Sequence, residues 1–415
     1  MTEGAPVLVQ KYGGTSVGTA ARIRHVSQRI ADTVRAGKQV VAVVSAMGKT
    51  TDRLIALAAQ VSDDPPLREL DMLVANGETI TAPLVAMCLQ GLGVPATSLS
   101  GMQAGVHTSH HHFKARIREV DATRLRRMLR QGIVPVVAGF QGITEDLDIA
   151  TLGRGGSDTT AVALAAALDA EACEILTDVD GFLTADPRVV PGARLLPSIA
   201  YDECIELASV GAKVMHPRAV EIGELYQMPI HVRSSFHRRR GTMIVSEVPM
   251  EDRNRVRGVA HQKGVAKVTI LGVPDRPGLA ASLMEPLSDA GISIDVIVQN
   301  VSSHGETDLT FTCDDADIKV AEPLAREAAS AMGAKGVQVA SGAAKVSIVG
   351  SGMLGTPGIA ARMFRTLASV GANIEMISTA EIRITCVIQQ AKAEEAVRAL
   401  HQAFQLDQDR LMTTG

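Results

Sequence analysis

Thr151-Leu-Gly-Arg-Gly-Gly-Ser-Asp-Thr-Thr160 runs directly into Ala161-Val-Ala-Leu-Ala-Ala-Ala-Leu168. Three glycines surround one arginine, a serine and an aspartate follow, and an alanine-rich helix begins. Glycines let backbone N–H groups approach a ligand without Cβ interference. A helix N-terminus adds unpaired N–H groups and a partial positive charge. Arg154 offers a planar fork that suits a carboxylate or a phosphate. Ser157 or Asp158 is expected to cap the helix. The stretch is an anion site placed between a strand and a helix.

The segments around it repeat that grammar. Val7-Leu-Val9 leads into Lys11-Tyr-Gly-Gly-Thr-Ser16, and residues 20–36 carry Ile23, Val26, Ile30 and Val34 at helical spacing. Val40-Val-Ala-Val-Val44 ends in Ser45-Ala-Met-Gly48. Ile133-Val-Pro-Val-Val-Ala-Gly139 and Glu174-Ile-Leu-Thr-Asp178 are further buried strands. Strand, glycine turn and helix in alternation predict an α/β fold with a mostly parallel sheet and ligands at the strand C-terminal ends. Gly48-Lys49-Thr50 resembles the tail of a P-loop, but position 43 is Val43 where that loop needs its first glycine. Leu70 to Leu89 reads as helix interrupted by Asn76-Gly77-Glu78. Glu78 there is either an ordinary surface glutamate or a carboxylate held for a ligand ammonium. The four histidines within 107–112 lack metal-ligand spacing and read as a solvated loop.

A length of 415 residues implies two or three domains. A net charge of −4 offers no global field for nucleic acid or acidic membranes. With 2% aromatics and no Trp, base-stacking platforms are not expected. The five cysteines are scattered singly, which points to buried free thiols in a reducing compartment. No secretory signal or membrane-length apolar run is legible, so a cytoplasmic protein without nucleic-acid or membrane partners is expected.

Two separated lysines (Lys11 and Lys213), several glycine turns at strand ends and an arginine-bearing anion loop suit phosphoryl transfer. In that chemistry the protein positions two anions and neutralises charge, with Mg²⁺ sharing the work. The motifs carry a resemblance as well. Lys11-Tyr-Gly-Gly-Thr-Ser16, Gly77-Glu78, Thr151 to Asp158, Thr177-Asp178 with Asp186-Pro-Arg188, and Lys213-Val-Met-His-Pro217 stand in the order seen in the aspartate kinases of the amino acid kinase superfamily. The resemblance implies a three-layer αβα kinase domain and ATP-dependent phosphorylation of the aspartate β-carboxylate. This is the entry step to lysine, threonine and methionine. It also implies roles. Lys11 and Asp158 would be catalytic. Ser45, Glu78, Arg154, Gly155, Gly156 and Ser157 would bind aspartate, with Glu78 on the ammonium and Arg154 on a carboxylate. Lys11, Tyr12, Gly13, Gly14, Thr177, Asp178, Asp186, Arg188 and Lys213 would bind ATP. Phe182 stands where relatives commonly carry Tyr, which should affect nucleotide contacts.

The second half repeats itself. Lys267-Val-Thr-Ile-Leu-Gly272, Pro277-Gly278 and Ala290 to Asp295 match Lys345-Val-Ser-Ile-Val-Gly350, Pro357-Gly358 and Val370 to Glu375. Each copy reads strand, turn, helix, strand. These units resemble ACT domains, small α+β (ferredoxin-like) modules that bind amino acids and pair through their sheets. The expected division is a kinase domain over 1–247, a linker and contributed strand over 248–264, and ACT units over 265–342 and 343–415. Asp275, Gln299, Asn373 and Glu381 fall where contacts to lysine, threonine or both would lie. The resemblance further implies a homodimer or higher oligomer through the ACT units. It also raises the possibility of a shorter subunit that starts near Met250. Two other readings are a kinase for glutamate or acetylglutamate and a catalytically dead amino-acid sensor. The intact Thr151–Asp158 stretch disfavours the first. The joint presence of Lys11, Glu78, Arg154, Asp158 and Lys213 disfavours the second.

Overall fold

The computed structural model describes residues 4–212, 214–248, 256–299, 305–353 and 355–408. Lys213, Met250 and the charged linker at 251–255 lie outside the described residues. The chain forms two compact units. One comprises Met1–Leu183 and Leu195–Asp252, the other Thr184–Arg194 and Arg253–Gly415.

The first unit is built on an eight-stranded sheet. Its spatial order is Ser198–Ala200, Thr242–Val245, Ile230–Ser234, Ala172–Thr177, Val7–Tyr12, Gln39–Val44, Val134–Ala138 and Ala96–Leu99. Every neighbouring pair is parallel except Ile230–Ser234 with Thr242–Val245. Its central strands are nearly all apolar and buried, because helices cover both faces of a parallel sheet. Side chains alternate between the faces. Tyr12, Val40, Ala42 and Val44 pack with Ile23, Val26 and Ile30 of helix Ala20–Arg35 and with Val85 and Leu89 of helix Asn76–Gly91. Lys11 and Val43 stand opposite each other in register and face the other way. Helix Gly156–Ala167 lies on that side and is buried along most of its length. An all-round apolar helix is a core helix, as the alanine run predicts.

The break in the long helix falls at Ala75, between Leu67–Val74 and Asn76–Gly91. Asn76, Gly77 and Glu78 therefore form the first turn of the second helix, not an interruption outside it. Glu78 itself is buried, at 4% exposure. A small second sheet was not legible in the sequence. It runs Ile117–Val120, Val106–Thr108, Gln141–Ile143 and Ile149–Thr151, in strands of three or four residues too short to show a period. Thr151 is the last residue of its edge strand, so the anion loop leaves from this sheet.

The second unit holds one six-stranded antiparallel sheet. Its order is Ile297–Gln299, Glu306–Asp314, Gly258–Pro274, Gly336–Val349, Arg383–Gln389 and Ile374–Ala380. Two long strands serve both repeats. Gly258 to Lys263 pair with Val349 to Ala344, beside the second repeat, and Lys267 to Leu271 pair with Ala340 to Gly336, beside the first. The repeated Pro-Gly pairs have one structural meaning. Gly278 and Gly358 take φ of 93° and 91° as N-caps of helices Leu279–Asp289 and Ile359–Ser369, a conformation that disfavours a Cβ.

One segment read from the sequence as part of the kinase half belongs to this second unit. Ala185, Val189 and Val190 are buried with Val346, Ile348, Met363, Leu367 and Leu400 in the core of the second repeat. Thr184 Oγ1 is hydrogen-bonded to the buried His401 Nε2 at 2.9 Å, and Val259 N–H donates to the Thr184 carbonyl. Apolar residues in a kinase-domain loop have no period that reveals which core they enter.

Candidate active site

The sheet carries Lys11 near the end of its central strand, and the helix after the glycine loop carries Asp158 in its first turn. Lys11 Nζ stands 2.6 Å from Asp158 Oδ1, with both side chains about one-tenth exposed. The pair is a close, charge-assisted contact, and Asp158 Oδ1 has no other hydrogen-bond partner among the described residues. A Cβ on Gly13 would lie 3.7 Å from Lys11 Nζ and 3.9 Å from Thr177 Oγ1. Lys11, Gly13 and the end of strand Ala172–Thr177 thus share one small region. Gly14 is irreplaceable for a local reason: its Cβ would meet the Ala46 carbonyl oxygen at 2.9 Å and that of Gly48 at 3.2 Å.

Glu78 is the site's most unusual group. Its Oε1 accepts the Ala46 N–H at 3.0 Å, while Oε2 is buried with no hydrogen-bond partner among the described residues. Burial pushes its carboxyl up to about 7, against the opposing effects of the Ala46 N–H and the Lys11 charge. A buried, half-paired carboxylate favours a cationic partner. Ser45 is partly buried one residue before Ala46, and its N–H donates to the Tyr12 carbonyl.

The cap of the helix differs from expectation. Gly155 is the N-cap, at φ 72°, and Ser157 and Asp158 lie inside the first turn. A Cβ on Gly155 would sit 2.2 Å from Cβ of His216, so the imidazole packs directly on the bare glycine backbone. Burial lowers the pKa of His216, although Asp158 opposes the shift. Arg154 is exposed and makes no hydrogen bond or ion pair to any described residue. Gly156 and Ser157 are buried, and Ser157 lies against Gly139.

The structure brings Lys11, Gly13, Gly14, Glu78, Asp158 and Thr177 into one network of contacts. The exposed Asp178 accepts from Thr177 Oγ1 at 3.2 Å. Asp186 and Arg188 stand on the segment that belongs to the second unit, where they pair with each other at 2.7 Å. The guanidinium holds the Asp186 carboxyl below its ordinary range. Phe182 is buried at 1% exposure in the core. The four effector candidates are all exposed. Asn373 and Glu381 flank opposite ends of strand Ile374–Ala380, roughly 25 Å apart at the rise of a β-strand, so within one chain they do not line one pocket.

Sequence reasoning missed three groups. The Ala46 N–H is a backbone donor and leaves no trace in side-chain chemistry. Arg218 donates to the Leu152 carbonyl at 3.0 Å and the Ala115 carbonyl at 2.7 Å, which fixes the loop before Arg154. Asp71 is fully buried and accepts from Thr151, Phe113 and His112. The histidine run is therefore not simply a solvated loop: His112 packs against Asp71, and His110 lies beside Asp146.

Residues 6–234 match the amino acid kinase family, and residues 267–331 and 346–404 each match the ACT domain. The aspartokinase of Geobacillus stearothermophilus is 48% identical over 403 residues, covering 97% of this chain and 98% of that one. The chain belongs to the aspartokinase family. The aspartokinase of Mycolicibacterium smegmatis agrees, at 49% identity over 413 residues and 97% of each chain. Among solved structures, Escherichia coli aspartokinase III in complex with aspartate and ADP (R-state) aligns with a TM-score of 0.81 at 26% identity, covering 96% of this chain and 99% of that one. The same protein with lysine and aspartate (T-state) aligns with a TM-score of 0.76 over the same shares. This aspartokinase is accordingly an aspartate kinase, a kinase domain followed by two ACT domains as the motif order and the repeat imply.

Proposed function

We propose that this aspartokinase transfers the γ-phosphoryl group of ATP to the β-carboxylate of L-aspartate, giving 4-phospho-L-aspartate, at the site around Lys11. The supporting observation is the buried Glu78, whose free Oε2 lies within the field of Lys11. Glu78 takes the ammonium of aspartate and the exposed Arg154 takes a carboxylate. Ser45, Gly155, Gly156 and Ser157 complete that end. Lys11 neutralises charge on the transferring phosphoryl group, and Asp158 holds Lys11 in place. Gly13, Gly14, Tyr12, Thr177, Asp178, Asp186, Arg188 and Lys213 serve the nucleotide.

Mg²⁺ fits as a partner of the ATP phosphates. The described residues hold no group of three His, Cys, Asp or Glu side chains able to cage a metal. Mg²⁺ commonly keeps few protein ligands and binds through substrate phosphates. Bound there, it would share the neutralisation of phosphate charge with Lys11.

The second unit is read as the regulatory part, responding to lysine, threonine or both through the regions of Asp275, Gln299, Asn373 and Glu381. The E. coli T-state complex with lysine supports the amino-acid class. Two edge strands expose Ile297 and Ile377, which suits pairing with a second copy of the chain. Incubation with MgATP, aspartate and hydroxylamine tests the reaction, because hydroxylamine traps an acyl phosphate as a hydroxamate. Hydroxamate with glutamate alone would overturn the aspartate assignment. Lysine and threonine, added singly and together, identify the effector in the same assay.

A further inference from the structure

The helical run from Leu67 to Gly91 carries two buried carboxylates seven positions apart, Asp71 and Glu78. At 1.5 Å per residue that spacing is roughly 10 Å along one nearly continuous helix. Glu78 keeps one buried oxygen without a hydrogen-bond partner among the described residues. Asp71 instead grips the start of the anion loop. Its Oδ2 accepts from Thr151 N at 3.1 Å and Phe113 N at 3.0 Å and stands 2.9 Å from His112 Nδ1, while its Oδ1 accepts the Thr151 hydroxyl. Arg68, one turn earlier, holds Asp148, in the turn between strands Gln141–Ile143 and Ile149–Thr151, at 3.0 and 2.7 Å. Two residues beyond Thr151, a Cβ on Gly153 would lie 2.9 Å from the Phe113 carbonyl oxygen. The loop therefore rests on the segment that Asp71 also holds.

We propose that Asp71 is a positioning residue for substrate length. It fixes the distance between the loop of Arg154 and the carboxylate of Glu78, and so favours aspartate over its one-methylene homologue glutamate. The inference rests on the reading that Glu78 and Arg154 hold the two ends of the substrate. Aspartate and glutamate carry the same charged groups, so only reach separates them at such a site. One methylene is worth about 10- to 200-fold in discrimination in a hydrophobic pocket, which sets the scale expected here. A loop tied to helix Leu67–Val74, which runs through Ala75 directly into the helix of Glu78, supplies the rigidity that a limit on reach requires.

The test is steady-state kinetics on the full chain with aspartate and with glutamate. Thr151→Val removes the hydroxyl donor to Asp71 at nearly constant volume, and Thr151→Ser restores it. Asp71→Asn is the stronger variant. Thr151→Val should raise the aspartate KM about tenfold and lower the aspartate-to-glutamate ratio of kcat/KM about tenfold. The ATP KM should stay within about twofold, and Thr151→Ser should retain the native ratio. An unchanged ratio in Thr151→Val would overturn the inference. So would a parallel loss of every parameter, ATP KM included, which marks a merely structural role. Arg154→Ala separates the two levels. If it raises the aspartate KM while Thr151→Val changes nothing, the positioning role alone falls. If it leaves the aspartate KM unchanged, the substrate reading falls with it.

Discussion

Lys11 Nζ stands 2.6 Å from Asp158 Oδ1, a lysine from the central strand paired with an aspartate from the first turn of the helix above it. Both are buried, so the pair is protected from solvent screening and each partner depends on the other. Lys11→Ala should lower kcat at least about 100-fold, the scale for loss of a charge-stabilising group. It should also cost about 3 kcal/mol of stability, because Asp158 is left buried and unpaired. Lys11→Met combined with Asp158→Asn should recover much of that stability in denaturant unfolding without recovering turnover.

Glu78 links activity to pH. Its folded-state pKa of about 7 lies above the ordinary glutamate range, so the ligand-free folded enzyme retains a proton that the unfolded chain releases. Stability from this group is therefore lost as pH rises from the ordinary range through about 7, by about 3 kcal/mol in total. Glu78→Gln should be more stable than the native chain at pH 8, measured by denaturant midpoint without aspartate. The same variant should bind aspartate poorly. In the native enzyme kcat/KM for aspartate should rise with pH through about 7, and that limb should vanish in Glu78→Gln.

Arg154 is exposed and without a partner among the described residues, so its removal should leave stability within about 0.5 kcal/mol. Arg154→Ala should raise the aspartate KM strongly and change the ATP KM little, as measured by initial rates with each substrate varied in turn.

Gly155 sits at φ 72° with His216 against its backbone. Gly155→Ala should cost about 1–2 kcal/mol from the left-handed backbone alone, and more from the clash. Turnover should fall with it, since the displaced turn carries Ser157 and Asp158. Thermal unfolding together with kcat checks both effects.

Val190 lies in the core of the second repeat on the same short segment as Asp186 and Arg188. Val190→Ala should destabilise the second unit by about 2 kcal/mol. Because the segment carries residues assigned to the nucleotide, the ATP KM should rise several-fold while the aspartate KM stays unchanged. Equal changes in both would detach the segment from nucleotide binding.

Much was legible in the sequence because it is written in local periods and glycine positions. Buried apolar runs ending in glycine turns specify a parallel sheet with its site at the strand C-terminal ends, and the repeated Pro-Gly pairs mark two equivalent helix caps. Helix Ala20–Arg35 appears where spacing places it, and the Lys11 and Thr151–Asp158 motifs mark the two banks of the candidate site. The rest depends on which surfaces meet, and no local pattern encodes that. Whether Glu78 was a surface residue or a held carboxylate was undecided until Ala46 and the core enclosed it. Asp71 reads as an ordinary helix aspartate until Thr151, eighty positions later, donates to it. The segment from Thr184 to Arg194 reads as kinase chain, yet its three apolar side chains complete a core built by residues from 256 onward. Sequence by itself thus determined the elements, the repeat and the chemical types at the site. Tertiary structure alone decided which carboxylates are buried, what each one holds and which core the segment from Thr184 to Arg194 joins, because desolvation and long-range pairing exist only once distant segments are packed together.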